Sequence, residues 1–66
     1  MTIENRVKIL RSEKGITQEV LAEAVGVSRQ TIVAIEKGNY IPSLLLAMQL
    51  AEYFEVTVSE AFSIHP

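Results

Sequence analysis

Arg29 and Gln30 are adjacent side chains whose polar groups could form paired hydrogen bonds to a planar base. An Arg guanidinium can donate two parallel hydrogen bonds to guanine O6 and N7, and a Gln carboxamide can pair in both directions with adenine N6 and N7. Val33 and Ala34, about one helical turn later, carry small apolar groups of the kind that pack on a thymine methyl. These residue types together favour contact with the base edges of duplex DNA.

Residues suited to catalysis or metal binding form no comparable set. The 66-residue sequence has no Cys and one His, His65, so it can build neither a disulfide nor a standard zinc site. A nucleophile, a base and oxyanion donors cannot be assembled from the residues present. We therefore expect no enzymatic activity, no cofactor and no bound metal, and we interpret His65 as an ordinary residue of the C-terminal tail.

Glycines mark the ends of the first two helices, because each falls where a helix terminus favours a residue with positive φ. Apolar residues at helical spacing predict a first helix over residues 5–14, which ends at Gly15. Thr17 is predicted to be the N-cap of a second helix, which ends at Gly26. The turn after this helix is short.

The third helix is the one that carries Arg29 and Gln30. Ser28 is its predicted N-cap, and the helix is expected to run to Lys37 and stop at Gly38. If Ile32 and Ile35 face the core, the helical period sends the opposite side outward. That outward face comprises Arg29, Gln30, Val33, Ala34 and Lys37. Two short helices joined by a glycine-containing turn form a helix-turn-helix, whose second helix can enter a DNA major groove.

The rest of the chain predicts two more helices. Ser43 is expected to cap a fourth helix that reaches Phe54, and Thr57 with Glu60 forms a capping box for a short fifth helix ending near Phe62. The sequence thus predicts an all-α fold of five helices in a single domain over residues 1–66. The leftover segments, residues 2–3 and 63–66, are partly β-prone and could pair as a small two-stranded ribbon.

Residues 17–43 resemble the helix-turn-helix of Xre-like proteins, which is the Cro and phage-repressor type. The matching positions are Thr17, Gln18, Glu19, Val20, Leu21, Ala22, Glu23, Val25, Gly26, Val27, Ser28, Arg29, Gln30, Thr31, Ile32, Ile35, Glu36, Lys37, Gly38, Pro42 and Ser43. The resemblance implies a compact, lambda-repressor-like domain with the helix-turn-helix at helices two and three. It also implies a DNA-binding transcriptional regulator that works as a homodimer.

The resemblance also implies roles for individual residues. Gln18 matches the residue that clamps a phosphate at the start of helix two. Three residues match base-reading positions: Arg29, Gln30 and Ala34. Three match positions that contact the DNA backbone: Ser28, Lys37 and Asn39. We add three neighbours to the expected contact surface: Thr31, Val33 and Tyr40.

Two further positions bear on the fold. Arg11 and Glu36 match a pair that forms a buried or half-buried ion pair between helices one and three in proteins of this type. Glu55 stands at the end of helix four, where relatives commonly have Gly or Asn. A positive φ at Glu55 would cost on the order of 1 kcal/mol.

The formal net charge of −2 does not by itself indicate a nucleic-acid ligand. We expect Arg29, Lys37 and either Lys14 or Arg6 to lie toward DNA, which gives about two to three cationic contacts per subunit. An alternative function is a protein-interaction module, such as an antitoxin-like protein or a partner of another regulator. In that case helix three or the segment from Val56 to Ile64 would contact protein.

The favoured interpretation is a sequence-specific regulator of transcription, expected to be a repressor, bound as a homodimer to double-stranded DNA at an inverted-repeat operator. Four apolar residues near the C-terminus are candidates for the dimer contact: Val56, Val58, Phe62 and Ile64. The longest apolar run, residues 44–48, is far shorter than a membrane span, so we expect a cytoplasmic protein associated with the nucleoid. No small-molecule effector is evident.

Overall fold

The computed structural model describes residues 2–65, and Met1 and Pro66 lie outside the described part of the chain. The elements follow in the order β1 (Thr2–Asn5), α1 (Val7–Lys14), α2 (Gln18–Val25), α3 (Arg29–Glu36), α4 (Leu44–Tyr53), α5 (Val58–Ala61) and β2 (Phe62–His65). This confirms the predicted layout of five helices with a small ribbon. No helix in residues 2–65 is long and apolar enough to cross a membrane.

Side-chain caps begin four of the five helices, as the sequence predicts. Thr17, Ser28 and Ser43 each accept a hydrogen bond from the backbone N–H three residues later, at 3.1 to 3.2 Å. At α5 the Thr57 hydroxyl accepts from the Glu60 N–H, and the Glu60 carboxylate accepts from the Thr57 N–H. Each cap satisfies a backbone donor that the helix itself cannot pair, which stabilises the helix by about 1 kcal/mol.

Helix boundaries differ from the prediction by one or two residues. The first helix begins at Val7 and not at residue 5, because Asn5 pairs with Phe62 in the ribbon and its Oδ1 accepts the Val7 N–H at 3.1 Å. The third helix ends one residue before Lys37, which serves as its C-cap. The fourth helix likewise stops at Tyr53, with Phe54 as its C-cap.

The ribbon is antiparallel and longer than predicted. Thr2 pairs with His65, Ile3 with Ile64, Glu4 with Ser63 and Asn5 with Phe62. The Arg6 N–H donates to the Ala61 carbonyl at 2.9 Å, so the pairing continues to the start of α1. The prediction that Pro66 belongs to this ribbon falls outside the described residues.

The core lies between all of the longer helices. Its largest fully buried side chains are Val7, Leu21, Ile32, Ile35 and Leu50. Two residues that sequence periodicity places with them, Leu10 and Phe54, are only partly buried. Burying an aliphatic side chain of this size is worth about 1.5 to 3 kcal/mol, so this cluster holds α2 and α3 at a fixed mutual angle.

Glu55 has a φ of 58°, which places a non-glycine residue in the left-handed region. The conformation completes the end of α4: the Glu55 N–H donates to the Glu52 carbonyl at 3.1 Å and the Val56 N–H to the Ala51 carbonyl at 3.0 Å. Glu55 therefore has the positive φ that relatives commonly give to Gly or Asn, and this conformation costs about 1 kcal/mol relative to glycine.

Candidate nucleic-acid interface

The turn between α2 and α3 occupies three residues, Gly26 to Ser28. Gly26 has a φ of 74°, a conformation that costs glycine little, and the Val27 N–H returns to the Ala22 carbonyl at 3.0 Å. Ala22 is only 4% exposed and lies in the core cluster with residues of α3. A small side chain here lets the two helices cross closely, so the turn fixes the direction in which α3 leaves the core.

The outer face of α3 carries the predicted base-reading residues. Ile32 and Ile35 are completely buried, whereas Arg29, Gln30 and Lys37 are exposed. Val33 and Ala34 are half-buried. Within residues 2–65 no hydrogen bond or ion pair engages the side chains of Arg29 or Gln30. Their donors and acceptors are therefore available to a ligand.

Hydroxyl groups occupy the start of α3. Ser28 Oγ accepts the Thr31 N–H at 3.2 Å and lies 3.0 Å from Thr31 Oγ1. Ser28 is exposed and Thr31 half-buried. Beyond the other end of α3, Asn39 and Tyr40 are also exposed, with Tyr40 at 47%. The predicted backbone-contacting residues thus flank the base-reading face at both of its ends.

An ion pair joins α1 to the last residue of α3. Arg11 Nε donates to Glu36 Oε2 at 2.8 Å, and Arg11 Nη2 donates to Glu36 Oε1 at 3.2 Å. The side chains are 16% and 4% exposed. The hydrogen bond to the Glu36 carboxylate raises the pKa of Arg11 above its ordinary value, against the opposing effect of burial. The pair is a bidentate ion pair that is largely shielded from solvent, and it holds α3 against α1.

Gln18 is the first residue of α2, and its Nε2 donates to Glu36 Oε1 at 3.0 Å. Arg11 also reaches the segment that precedes α2, because its Nη1 donates to the Ile16 carbonyl at 3.1 Å. The predicted phosphate-contacting residue is therefore connected to the ion pair. Sequence patterns give no sign of this contact, which spans 18 positions along the chain.

Positive side chains line an open groove between α1, the start of α2 and α3. Lys8, Arg29 and Lys37 border this groove together with Gln18. Lys8 was not among the residues predicted to lie toward DNA, although it stands three positions before Arg11 and therefore shares its helical face. Neither Lys14 nor Arg6, the two residues predicted instead, borders this groove. Lys14 lies with its Nζ 5.1 Å from the centre of the Tyr53 ring.

Within residues 2–65, two apolar surfaces lie outside the interface. The first is a groove at the ribbon and α5 that includes Val58, Phe62 and Ile64 among the predicted dimer candidates, and Ile3 as well. Ile64 is 66% exposed, and Val56, Val58 and Phe62 are half-buried. The second, which we call the α4 face, was not predicted as a contact surface. It consists of Ile41, Leu44, Leu45 and Met48, which are 52 to 73% exposed.

The α4 face could have been found from the sequence. Leu46 and Leu50 are four positions apart and both buried, so they define the inner side of α4. Leu44, Leu45 and Met48 then have no place in the core. A run of leucines longer than one helical face can bury is therefore the signal that was missed.

Comparison with known proteins assigns the chain to a family. A family model described as helix-turn-helix matches residues 7–60. This chain belongs to the helix-turn-helix family, in its Xre/Cro type. The HTH-type transcriptional regulator YgzD of Bacillus subtilis is 50% identical to it over 60 residues, which are 91% of this helix-turn-helix chain and 91% of YgzD.

A repressor and a solved controller structure are also similar to this helix-turn-helix protein. The cryptic phage CTXphi transcriptional repressor RstR of Vibrio cholerae is 34% identical over 59 residues, which are 89% of this chain and 53% of RstR. The restriction-modification controller protein C.AhdI of Aeromonas hydrophila superimposes with a TM-score of 0.77 at 33% identity, and the match covers 83% of both chains. The protein is thus a DNA-binding transcriptional regulator, and its family is not a class of enzymes.

Proposed function

We propose that the protein is a sequence-specific repressor that places α3 of each of two subunits in successive major grooves of an inverted-repeat operator. The observation that carries this proposal is the exposed Arg29–Gln30 pair in the first turn of α3, without a partner in residues 2–65. Such donors on a protruding helix match the hydrogen-bonding pattern of guanine and adenine in the major groove.

Within the interface, base reading and backbone contact fall to different residues. Arg29 and Gln30 specify bases, and Val33 with Ala34 provides apolar contact near them. The backbone is contacted by residues that lie before, beside and after this face: Gln18, Ser28, Thr31, Lys37, Asn39 and Tyr40. Backbone contacts set the register of the protein on the duplex, whereas base contacts supply the preference for sequence.

A homodimer is part of this proposal. An interface around a two-fold axis brings the same patch of each subunit together, so a patch of one charge would repel itself, whereas an exposed apolar patch gains free energy when it is buried. Residues 39–51 contain no charged residue, and this segment includes the α4 face. We favour the α4 face as the dimer contact because its four large apolar side chains are all more than half exposed, whereas on the ribbon surface Val56, Val58 and Phe62 are half-buried and only Ile64 of the four candidates is exposed. The α4 face also follows α3 along the chain by a loop of seven residues, 37–43.

Selection of bound sequences from a random duplex library tests the proposal. We expect the purified protein to enrich an inverted repeat whose half-sites are centred about one helical turn, or about 34 Å, apart. Enrichment of a single half-site would argue against the dimer. If no sequence were enriched, a protein-interaction module would be the better explanation, with the α4 face as the observation in its favour.

A further inference from the structure

Glu36 is the most deeply placed polar group at the DNA-facing groove, with a side chain only 4% exposed. Its two oxygens accept three hydrogen bonds: two from Arg11 at 2.8 and 3.2 Å and one from Gln18 Nε2 at 3.0 Å. The Arg11 guanidinium balances the charge of the carboxylate. The contact with Gln18 is not needed for that balance, and no other hydrogen bond within residues 2–65 engages the Gln18 side chain.

The carboxylate determines which way the Gln18 carboxamide is turned. A carboxamide has a donating end and an accepting end, and an exposed one can adopt either orientation. An ionised carboxylate only accepts hydrogen bonds, so it can face only the NH2 group. Glu36 thereby holds the NH2 group of Gln18 at the groove, with one hydrogen committed and the second free.

We infer that Glu36 is a positioning residue for the DNA backbone, which presents the Gln18 NH2 group to a phosphate through the Glu36 Oε1 contact. This inference rests on the proposed function. The NH2 group then bridges two anionic acceptors, one in the protein and one in DNA, and Lys8 and Lys37 border the same groove. Gln18 needs no reorientation on binding, so less entropy is lost when it meets the phosphate.

A double-mutant cycle measured on a duplex of arbitrary sequence tests this inference. We expect Gln18→Ala to weaken binding about tenfold for each bound subunit, the size of one lost charge-assisted hydrogen bond. In the Glu36→Gln background the same substitution should weaken binding by only about fivefold per subunit, because a neutral carboxamide at position 36 accepts either end of Gln18 and leaves the NH2 group toward the phosphate in about half of the molecules. Equal effects of Gln18→Ala in both backgrounds would overturn the inference.

Arg11→Lys is the matched control. It disrupts the two-point ion pair and so lowers stability, but it leaves the Glu36 carboxylate in place to orient Gln18. The tenfold effect of Gln18→Ala should therefore persist in Arg11→Lys. If it disappeared there as well, the loss would reflect a loosened fold and not a lost orientation, and the positioning role would be wrong.

Side-chain NMR on the unsubstituted protein supplies a second readout that requires no stable Glu36 variant. The Gln18 NH2 group should show a high order parameter, whereas those of Gln30 and Gln49, both exposed, should be low. Equal mobility of all three would overturn the inference. Restricted Gln18 together with no duplex binding at all would instead overturn the proposed function and, with it, the role in DNA contact. Additive effects on a duplex that is bound would overturn the positioning role alone.

Discussion

Lys8 is a third cation, after Arg29 and Lys37, that we expect to contribute to binding of the DNA backbone. It borders the groove beside α3, where the negative phosphates of a bound duplex would approach. The protein as a whole has a net charge of −2, so its attraction to DNA depends on where its few cations lie. Four of them, including Arg11, line this groove together with the carboxylates of Glu19 and Glu36, so the groove keeps an excess of positive charge in an acidic protein.

The Lys8→Ala substitution should weaken binding to all duplexes alike, since a lysine on a phosphate releases counterions without reading bases. For the dimer with two to three cationic contacts per subunit, log Kd should change with log salt with a slope of magnitude about 4 to 5. Removing Lys8 should reduce that magnitude by about 2, since each subunit loses one contact. Titration of a labelled duplex with protein at several salt concentrations measures this slope.

The control for Lys8 is Lys14→Ala, which removes the same charge from a side chain that lies over the Tyr53 ring. Its salt slope should equal that of the unsubstituted protein. If Lys14→Ala changed the slope and Lys8→Ala did not, the groove between α1 and α3 would not be the place where the backbone is bound.

Helix ends were the most predictable elements, because the signals that set them are local. Thr17, Ser28 and Ser43 each need only a backbone N–H three residues away, and the same short-range chemistry makes Gly26 end α2. The predicted start of α1 was wrong because Asn5 pairs in the ribbon with Phe62, which lies 57 positions away in the sequence. Periodicity within one segment cannot reveal a partner from the opposite end of the chain.

In the functional site, too, features set by local sequence were predictable and features set by distant contacts were not. The exposed face of α3 followed from the period of one helix with Ile32 and Ile35 inside. The Gln18–Glu36 contact and the place of Lys8 did not, because both depend on how three helices are arranged around the groove. Exposure of the α4 face was implied by the leucine run, but the second copy that we propose to cover it is not encoded in any local pattern.

The end of α4 can be strengthened by a single substitution. Glu55→Gly should raise the free energy of unfolding by about 0.5 to 1 kcal/mol, since glycine adopts the φ of 58° without the strain of a Cβ. Part of the gain is offset by the greater entropy that glycine brings to the unfolded chain. Urea denaturation followed by circular dichroism measures it.

The matched control is Gln49→Gly, at an exposed position in the body of α4 with ordinary helical geometry. That substitution should destabilise the protein by about 1 kcal/mol. A loss of stability in both variants would mean that the chain at position 55 does not adopt the left-handed conformation in solution.

The molecule is small enough that association with a second copy would add to its stability. A domain of about 60 residues buries a modest share of its surface, and oligomerisation is one way to add to its stability. Its Cα atoms extend 32 by 22 by 20 Å, dimensions comparable to the distance of about 34 Å between successive major grooves on one face of a duplex.

Dimerisation through the α4 face predicts a clear difference between two variants. Leu44→Glu puts a charge on a side chain that is 73% exposed, so it should leave the fold intact and yield a monomer, because dimerisation through the α4 face would bury a carboxylate without a partner. Ile64→Glu, at a comparable exposure of 66% on the ribbon surface, should remain a dimer. Sedimentation at micromolar concentration distinguishes the two states.

The reverse pattern in that experiment would assign the dimer contact to the ribbon surface, as the sequence suggested. Two dimeric variants would exclude both surfaces, and a monomeric unsubstituted protein would contradict the paired arrangement on DNA. In each case the oligomeric state also predicts affinity, because a monomer engages only one half-site.

The most direct test of the account is the affinity of Arg29→Ala for the selected operator and for a random duplex. If Arg29 reads a base, the substitution should cost about 1 to 3 kcal/mol on the operator, relax preference at one base pair in each half-site, and have a smaller effect on the random duplex. The control Gln49→Ala, an exposed residue on α4, should leave both affinities unchanged. Equal losses for Arg29→Ala on operator and random duplex would contradict the claim that α3 reads base edges.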